Sequence, residues 1–241
     1  MEYQSVPQSE QYRYEKAQVD SSLLGDAQKN FAKKVFSIVG FQLMATSLVA
    51  YGAMSFKFIE TLCEILYIPA VIATIVTGIW LYLSKSSARK FPLNYILLSI
   101  FTLGEAIALA ITCAQISDPE LIFQAFLITT GIVVALATYA MTTKNDLSYH
   151  GAAIFLFSFG CCIAGITYFI FRSSFAYQIY LIGGAIMLGF YLVYDIQLII
   201  GDKQLRLTVD DYILGSIMIY TDIIKIFIRV LKILLKEKKE K

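Results

Sequence analysis

Histidine is almost absent: His150 is the single one in 241 residues. A Ser-His-Asp triad or a zinc site needs imidazole at depth, and His150 sits in a short loop between apolar blocks, which excludes both. Cysteine is scarce too. Cys63, Cys113, Cys161 and Cys162 show no C-x-x-C spacing and mostly lie within or beside apolar stretches, so they read as small buried hydrophobes without a redox role. Charge is the third shortage. Asp, Glu, Lys and Arg make up 16% of the chain with a net charge of +2, against about a quarter in soluble domains. No nucleic-acid partner is expected of it.

Apolar residues take the space, at 58% of the chain, and the mean hydropathy is +0.67. They come in long blocks. Residues 35–56, 66–83, 121–141 and 151–171 contain no Asp, Glu, Lys or Arg. Each approaches the ~20 residues that a bilayer-spanning helix needs. Blocks 93–114 and 179–200 carry one acid apiece, Glu105 and Asp195, and block 212–235 carries four charges. The fold class is therefore an all-α polytopic membrane protein, embedded in a lipid bilayer, with six clear spans and a charged, debatable seventh. Residues 1–34, rich in Gln, Ser, Tyr and Glu, are expected to form a disordered tail. Residues 35–235 form the membrane domain, and 236–241 a basic tail. No cleavable signal is expected before the first span, which directs insertion itself.

Basic residues alternate by loop. Lys29, Lys33 and Lys34, then Lys85, Arg89 and Lys90, then Lys144, then Lys203 and Arg206 fall on one side; the other holds Lys57 and Arg172 with Glu60, Glu64, Asp118 and Glu120. By the positive-inside rule the N-terminus is cytosolic.

The last block has a pattern of its own. Asp222, Lys225, Arg229, Lys232 and Lys236 fall three or four residues apart, one polar stripe on a helix. Such a stripe fits an amphipathic helix at the membrane surface, a re-entrant segment, or a helix facing a wet cavity between spans. Lys238 and Lys239 match the spacing of a cytosolic dilysine retrieval signal, which requires an even number of crossings. They also fit a merely solvated helix end.

Glu105, Asp195 and Asp222 are acids inside apolar blocks, where a charge costs roughly 2.5–3.5 kcal/mol on insertion scales. Asp195 lies about 8 Å from its boundary, and the other two roughly 15–18 Å from theirs, at 1.5 Å per residue. All three depths run from the cytosolic side, so the acids converge in one half of the membrane. Two carboxylates close together in low dielectric share a proton, and a hard cation such as Ca²⁺ competes for the same oxygens. The reading is a pH-sensitive cation site, unless Lys225, three residues from Asp222, pairs with it. An intramembrane aspartyl protease is the enzymatic alternative. Tyr194-Asp195 matches half of its pattern, but Ile199-Ile200-Gly201-Asp202 lacks the first glycine and lies in the same block. No enzyme is expected. The Asp-Arg-Tyr and Asn-Pro-x-x-Tyr motifs of seven-helix receptors are absent too.

At these residues a resemblance enters. "YDIQLIIG" followed by "LTVDDYILGSIMIYTDIIKIFI" resembles the signature of the transmembrane Bax inhibitor motif family, which includes the Lifeguard proteins. "FTLGEA" and "QAFLITT" look most like its Golgi anti-apoptotic branch. The resemblance spans about residues 30–235 and implies seven helices, two three-helix layers around a central last helix. It implies residence in Golgi, endoplasmic reticulum or related membranes. It further implies a Ca²⁺ leak that lowers store Ca²⁺ and suppresses cell death, with no bound cofactor and Ca²⁺ as the permeant ion. The family's di-aspartyl pH sensor falls on Asp195 and Asp222, its acidic pair before the last helix on Asp210 and Asp211, and a glutamate of the Golgi branch on Glu105. Partners under this reading are Ca²⁺ and protons, with apoptosis regulators or intracellular Ca²⁺ channels as protein candidates. Ile196 replaces a usual Thr and Thr221 a usual Leu, while Lys225 and Arg229 make the last helix more basic than the pattern. These departures bear on the pH threshold and on conduction. The other class of function is a non-conducting interaction protein that binds death regulators or channels through its tail and loops.

Overall fold

The computed structural model describes residues 8–116, 118–143, 151–200, 207–208 and 210–240. Among these there are eight helices and no strand: α1 (Gln8–Ser55), α2 (Lys57–Leu83), α3 (Lys85–Arg89), α4 (Leu93–Ala114), α5 (Pro119–Thr142), α6 (Gly151–Phe171), α7 (Ser174–Ile200) and α8 (Tyr212–Glu240). Within them, Gly25–Ser55, α2, α4, α5, Ile154–Phe171 and α7 are long and apolar enough to cross a membrane. In hydrocarbon every backbone N–H and C=O must be satisfied within the chain, which a helix does by itself.

Burial sorts these helices. In their most apolar windows α2, α5 and α6 are only 17%, 17% and 11% buried, whereas α4 and α7 reach 56% and 44%. The outer helices show Phe, Ile and Leu on the surface, as with Ile72, Phe126 and Phe155, a pattern that water would not tolerate over so many contiguous residues and lipid does. One group of helices is α1, α2 and α4; the other is α5 and α6 around α7. Helix α8 lies between them, touching α1 and α4 on one side and α5 and α7 on the other. Ile213, Ile219, Tyr220, Ile226 and Leu231 of α8 are essentially inaccessible, so a helix that carries a stripe of charge is also one the core is built on.

The ends of α8 are tied to opposite faces of the bundle. At its start Asn94, on the first turn of α4, donates to the Tyr212 hydroxyl at 3.1 Å, and the Lys34 ammonium lies 3.3 Å from the centre of that ring. At its far end Lys238 is ion-paired with Asp118, in the loop after α4. Helix α8 therefore runs alongside α4 in the same direction, and its 29 residues extend about 43 Å. A helix lying flat on one membrane surface does not have this geometry.

Two boundaries differ from the sequence reading. The stretch read as a disordered tail is helical from Gln8, since α1 contains no proline to stop it and buries Phe31 and Val35 before residue 36. The basic tail is likewise part of α8, which continues through Glu240. Of the cysteines, Cys63, Cys113 and Cys161 are buried free thiols and Cys162 is exposed.

Candidate functional site

Helices α7 and α8 pack along their length and bring Asp195 against Asp222. Both are 8% exposed, and each carboxyl lies within electrostatic range of the other. An ionised carboxylate has only acceptors, so a bond between two carboxyls requires that one of them carry a proton. Leu192, Val193 and Ile196 beside Asp195 on α7, and Ile219, Ile224 and Ile226 on α8, are all buried in the same apolar core. Oδ2 of Asp222 is buried without a hydrogen-bond partner. Ile196 is 1% exposed within this apolar wall and offers the pair no hydroxyl.

Lys225 does not claim Asp222. No ion pair joins them among the described residues, and the lysine is exposed. It stands instead within electrostatic range of Glu105, Asp195 and Asp222 together. Glu105 is half-buried on α4, close enough to act on Tyr220 as well. The three acids do not form a cage: no group of three or more His, Cys, Asp or Glu suited to a metal exists among the described residues. Ca²⁺ takes six to eight oxygen ligands, so two carboxyls alone do not hold it in place.

A cleft of about 540 Å³ between α7 and α8 reaches Asp222. Asp222 lies on its wall together with Lys225, Arg229 and Lys232 of the polar stripe. Four of the five stripe residues thus line an open cleft between α7 and α8.

Asp210 and Asp211 part company. Asp210 is exposed, while Asp211 is fully buried at the start of α8 and accepts from Arg89 Nε at 2.8 Å and Nη2 at 2.9 Å. The Thr208 backbone N–H donates to the same carboxylate at 2.9 Å and its hydroxyl at 3.1 Å. Burial alone would raise this acid, but the Arg89 and Thr208 donors outweigh it and hold Asp211 below the usual carboxylate range. Eleven residues, roughly 16 Å of helix, separate it from Asp222, so it fastens the α8 start to the end of α3 and is no part of the carboxyl pair. At the other end Lys238 pairs with Asp118, whose carboxyl is held down by that ammonium and by the Leu121 N–H, while Lys239 is exposed. Asp202 and His150 lie outside the described residues.

The structure adds polar residues that the sequence reading passed over. Gln42 donates to Thr102 at 2.8 Å, Thr46 donates to the Gln42 carbonyl at 2.8 Å, and Thr46 and the Tyr220 hydroxyl are 2.8 Å apart. This chain joins α1, α4 and α8 beside Glu105. Its only signal in the sequence is Gln42 and Thr46 four apart, on one face of an otherwise apolar block. Arg89 was counted as a topological charge, and nothing local marked it as the partner of Asp211.

A polytopic bundle around a central charged helix, with a carboxyl pair in its wall, is the class that fold and site define. The chain belongs to the family described as "Inhibitor of apoptosis-promoting Bax1", whose pattern covers residues 28–239. It is 30% identical to Protein lifeguard 4 of Mus musculus over 206 residues, 85% of this chain and 84% of that one. Golgi anti-apoptotic protein of Vaccinia virus (strain Lister) is 28% identical over 205 residues, 85% of this chain and 84% of its own. Protein LIFEGUARD 4 of Arabidopsis thaliana is 32% identical over 215 residues, covering 84% and 83%.

Proposed function

We propose that this chain is a Ca²⁺-permeable leak pathway of Golgi or endoplasmic reticulum membranes that lowers store Ca²⁺ and suppresses apoptosis. The observation that carries the reading is the buried Asp195–Asp222 pair between α7 and α8. With one shared proton the carboxyls bond to each other and hold α7 against α8. Without it they repel, the helices separate, and the exposed oxygens offer Ca²⁺ a passing site. The names of the viral and animal relatives support the anti-apoptotic role.

The topology proposed with it has a cytosolic N-terminus and seven crossings, because α8 begins and ends at the same faces as α4. Lys238 and Lys239 then face away from the cytosol and do not serve as a retrieval signal. Pairing with Asp118 neutralises one of the lysines that argued against this arrangement.

Purified protein in Ca²⁺-loaded liposomes provides the test. Efflux is expected to fall as the pH is lowered, and Asp195→Asn and Asp222→Asn each to abolish that pH response. Unchanged flux and pH response in both variants would overturn the gate. No flux at all from the wild type would favour the non-conducting interaction protein.

A further inference from the structure

The cleft between α7 and α8 carries three cations and one acid, and the arrangement of the cations is specific. Arg229 is pinned. Its Nη1 donates to the Tyr180 carbonyl at 3.0 Å and its guanidinium lies 3.8 Å from the centre of the Tyr180 ring. Gly184 makes the room: a Cβ there would come within 2.9 Å of Arg229 Cζ. A guanidinium has five N–H donors, and α7 takes one of them. Held this way, Arg229 cannot snorkel to the membrane surface as a free side chain would.

Lys225 and Lys232 flank it at one turn on either side, both exposed to the cleft. Neither makes an ion pair or hydrogen bond among the described residues. Asp222 and Glu105 act on Lys225, but Arg229 and Lys232 have no acid at ion-pair distance among the described residues. Unpaired cations inside a bilayer are costly unless a counter-charge or water accompanies them. The space is about 540 Å³, far more than the roughly 30 Å³ that one water occupies.

We infer that this cleft binds a phosphate group, with Arg229 as the fixed fork and Lys225 and Lys232 as the flanking charges. Arginine matches phosphate oxygens with two parallel N–H bonds, and lysines add charge without demanding geometry. Basic pockets between membrane helices take phospholipid head groups in this manner. The phosphate comes either from an anionic lipid sliding in between α7 and α8 or from solution. The site stands whether or not the chain conducts ions.

The test uses the full chain in detergent and native mass spectrometry with dioleoyl phosphatidic acid, dioleoyl phosphatidylcholine and inorganic phosphate. Wild type is expected to retain phosphatidic acid at least tenfold better than phosphatidylcholine. The Lys225→Ala/Lys232→Ala pair, which removes both flanking charges, is expected to lose roughly tenfold or more in retention. The Lys225→Arg/Lys232→Arg pair keeps the charge and is expected to keep the lipid. Displacement by millimolar inorganic phosphate identifies a bare phosphate site, and its failure identifies a lipid site; both support the assignment. Equal retention of the two lipids by wild type overturns it without any variant, as does an alanine pair that binds like wild type while keeping its thermal midpoint.

Discussion

Single residues in this protein are held by polar bonds that an apolar surrounding makes expensive to lose. Tyr220 is fully buried and gives its hydroxyl to Thr46, while Thr46 keeps its own donation to Gln42. Tyr220→Phe therefore removes one hydrogen bond and strands no donor. Its expected cost is about 1 kcal/mol, read as a lower unfolding midpoint in detergent. Asp211 gives a pH prediction. Its carboxyl is lower in the folded state than in the unfolded chain, where Asp titrates at about 3.9. The stability it contributes is complete above that value and is lost as pH falls through the lower folded value. Asp211→Asn is expected to lower the midpoint at neutral pH and to flatten its decline below pH ~4, measured as thermal unfolding against pH. A variant with the wild-type acid limb would remove Asp211 from the acid response.

Helices meet through contacts that depend on small residues and on one central element. At Gly104 of the "FTLGEA" stretch α4 packs tightly on α2: a Cβ would sit 2.0 Å from Thr74 Oγ1 and 2.8 Å from the Ala70 carbonyl. The threonine can turn away, but the backbone oxygen cannot. Gly104→Ala is expected to destabilise by about 1–3 kcal/mol. Gly131→Ala, with nothing within 4 Å, is the matched control and should cause no loss. The helices themselves were legible in the sequence where apolar blocks end in charge or loop residues. Block 93–114 coincides with α4 and block 151–171 with α6. Where a charged turn belongs to a helix, as Lys57 and Glu60 do in α2, the block starts too late. Composition reports solubility for the residues before 35, and a polar segment free of proline can still extend a helix. Asp195 and Asp222 stood out as acids in apolar runs. Their meeting depends on the rotation of two helices, which spacing does not determine, and the Arg89–Asp211 and Lys238–Asp118 pairs join residues far apart in the chain.

Under the proposed topology the two ends of the chain lie on opposite sides of the membrane. A protease-cleavable tag after residue 241, in sealed microsomes, is expected to be protected, and an N-terminal tag to be cut. Cleavage of both would mean six crossings and would restore Lys238 and Lys239 as a cytosolic signal.

Helix α8 comes after all the helices it packs against, yet it fills the space between them. Until residues 212–240 have been made, the earlier spans enclose a gap with no central wall, and Asp195 faces no partner. With its stripe of charge α8 is a poor candidate to enter lipid by itself. Its way in is the slot its predecessors leave open, so biogenesis of this bundle ends in a docking step, with the carboxyl pair assembled as the final act of folding.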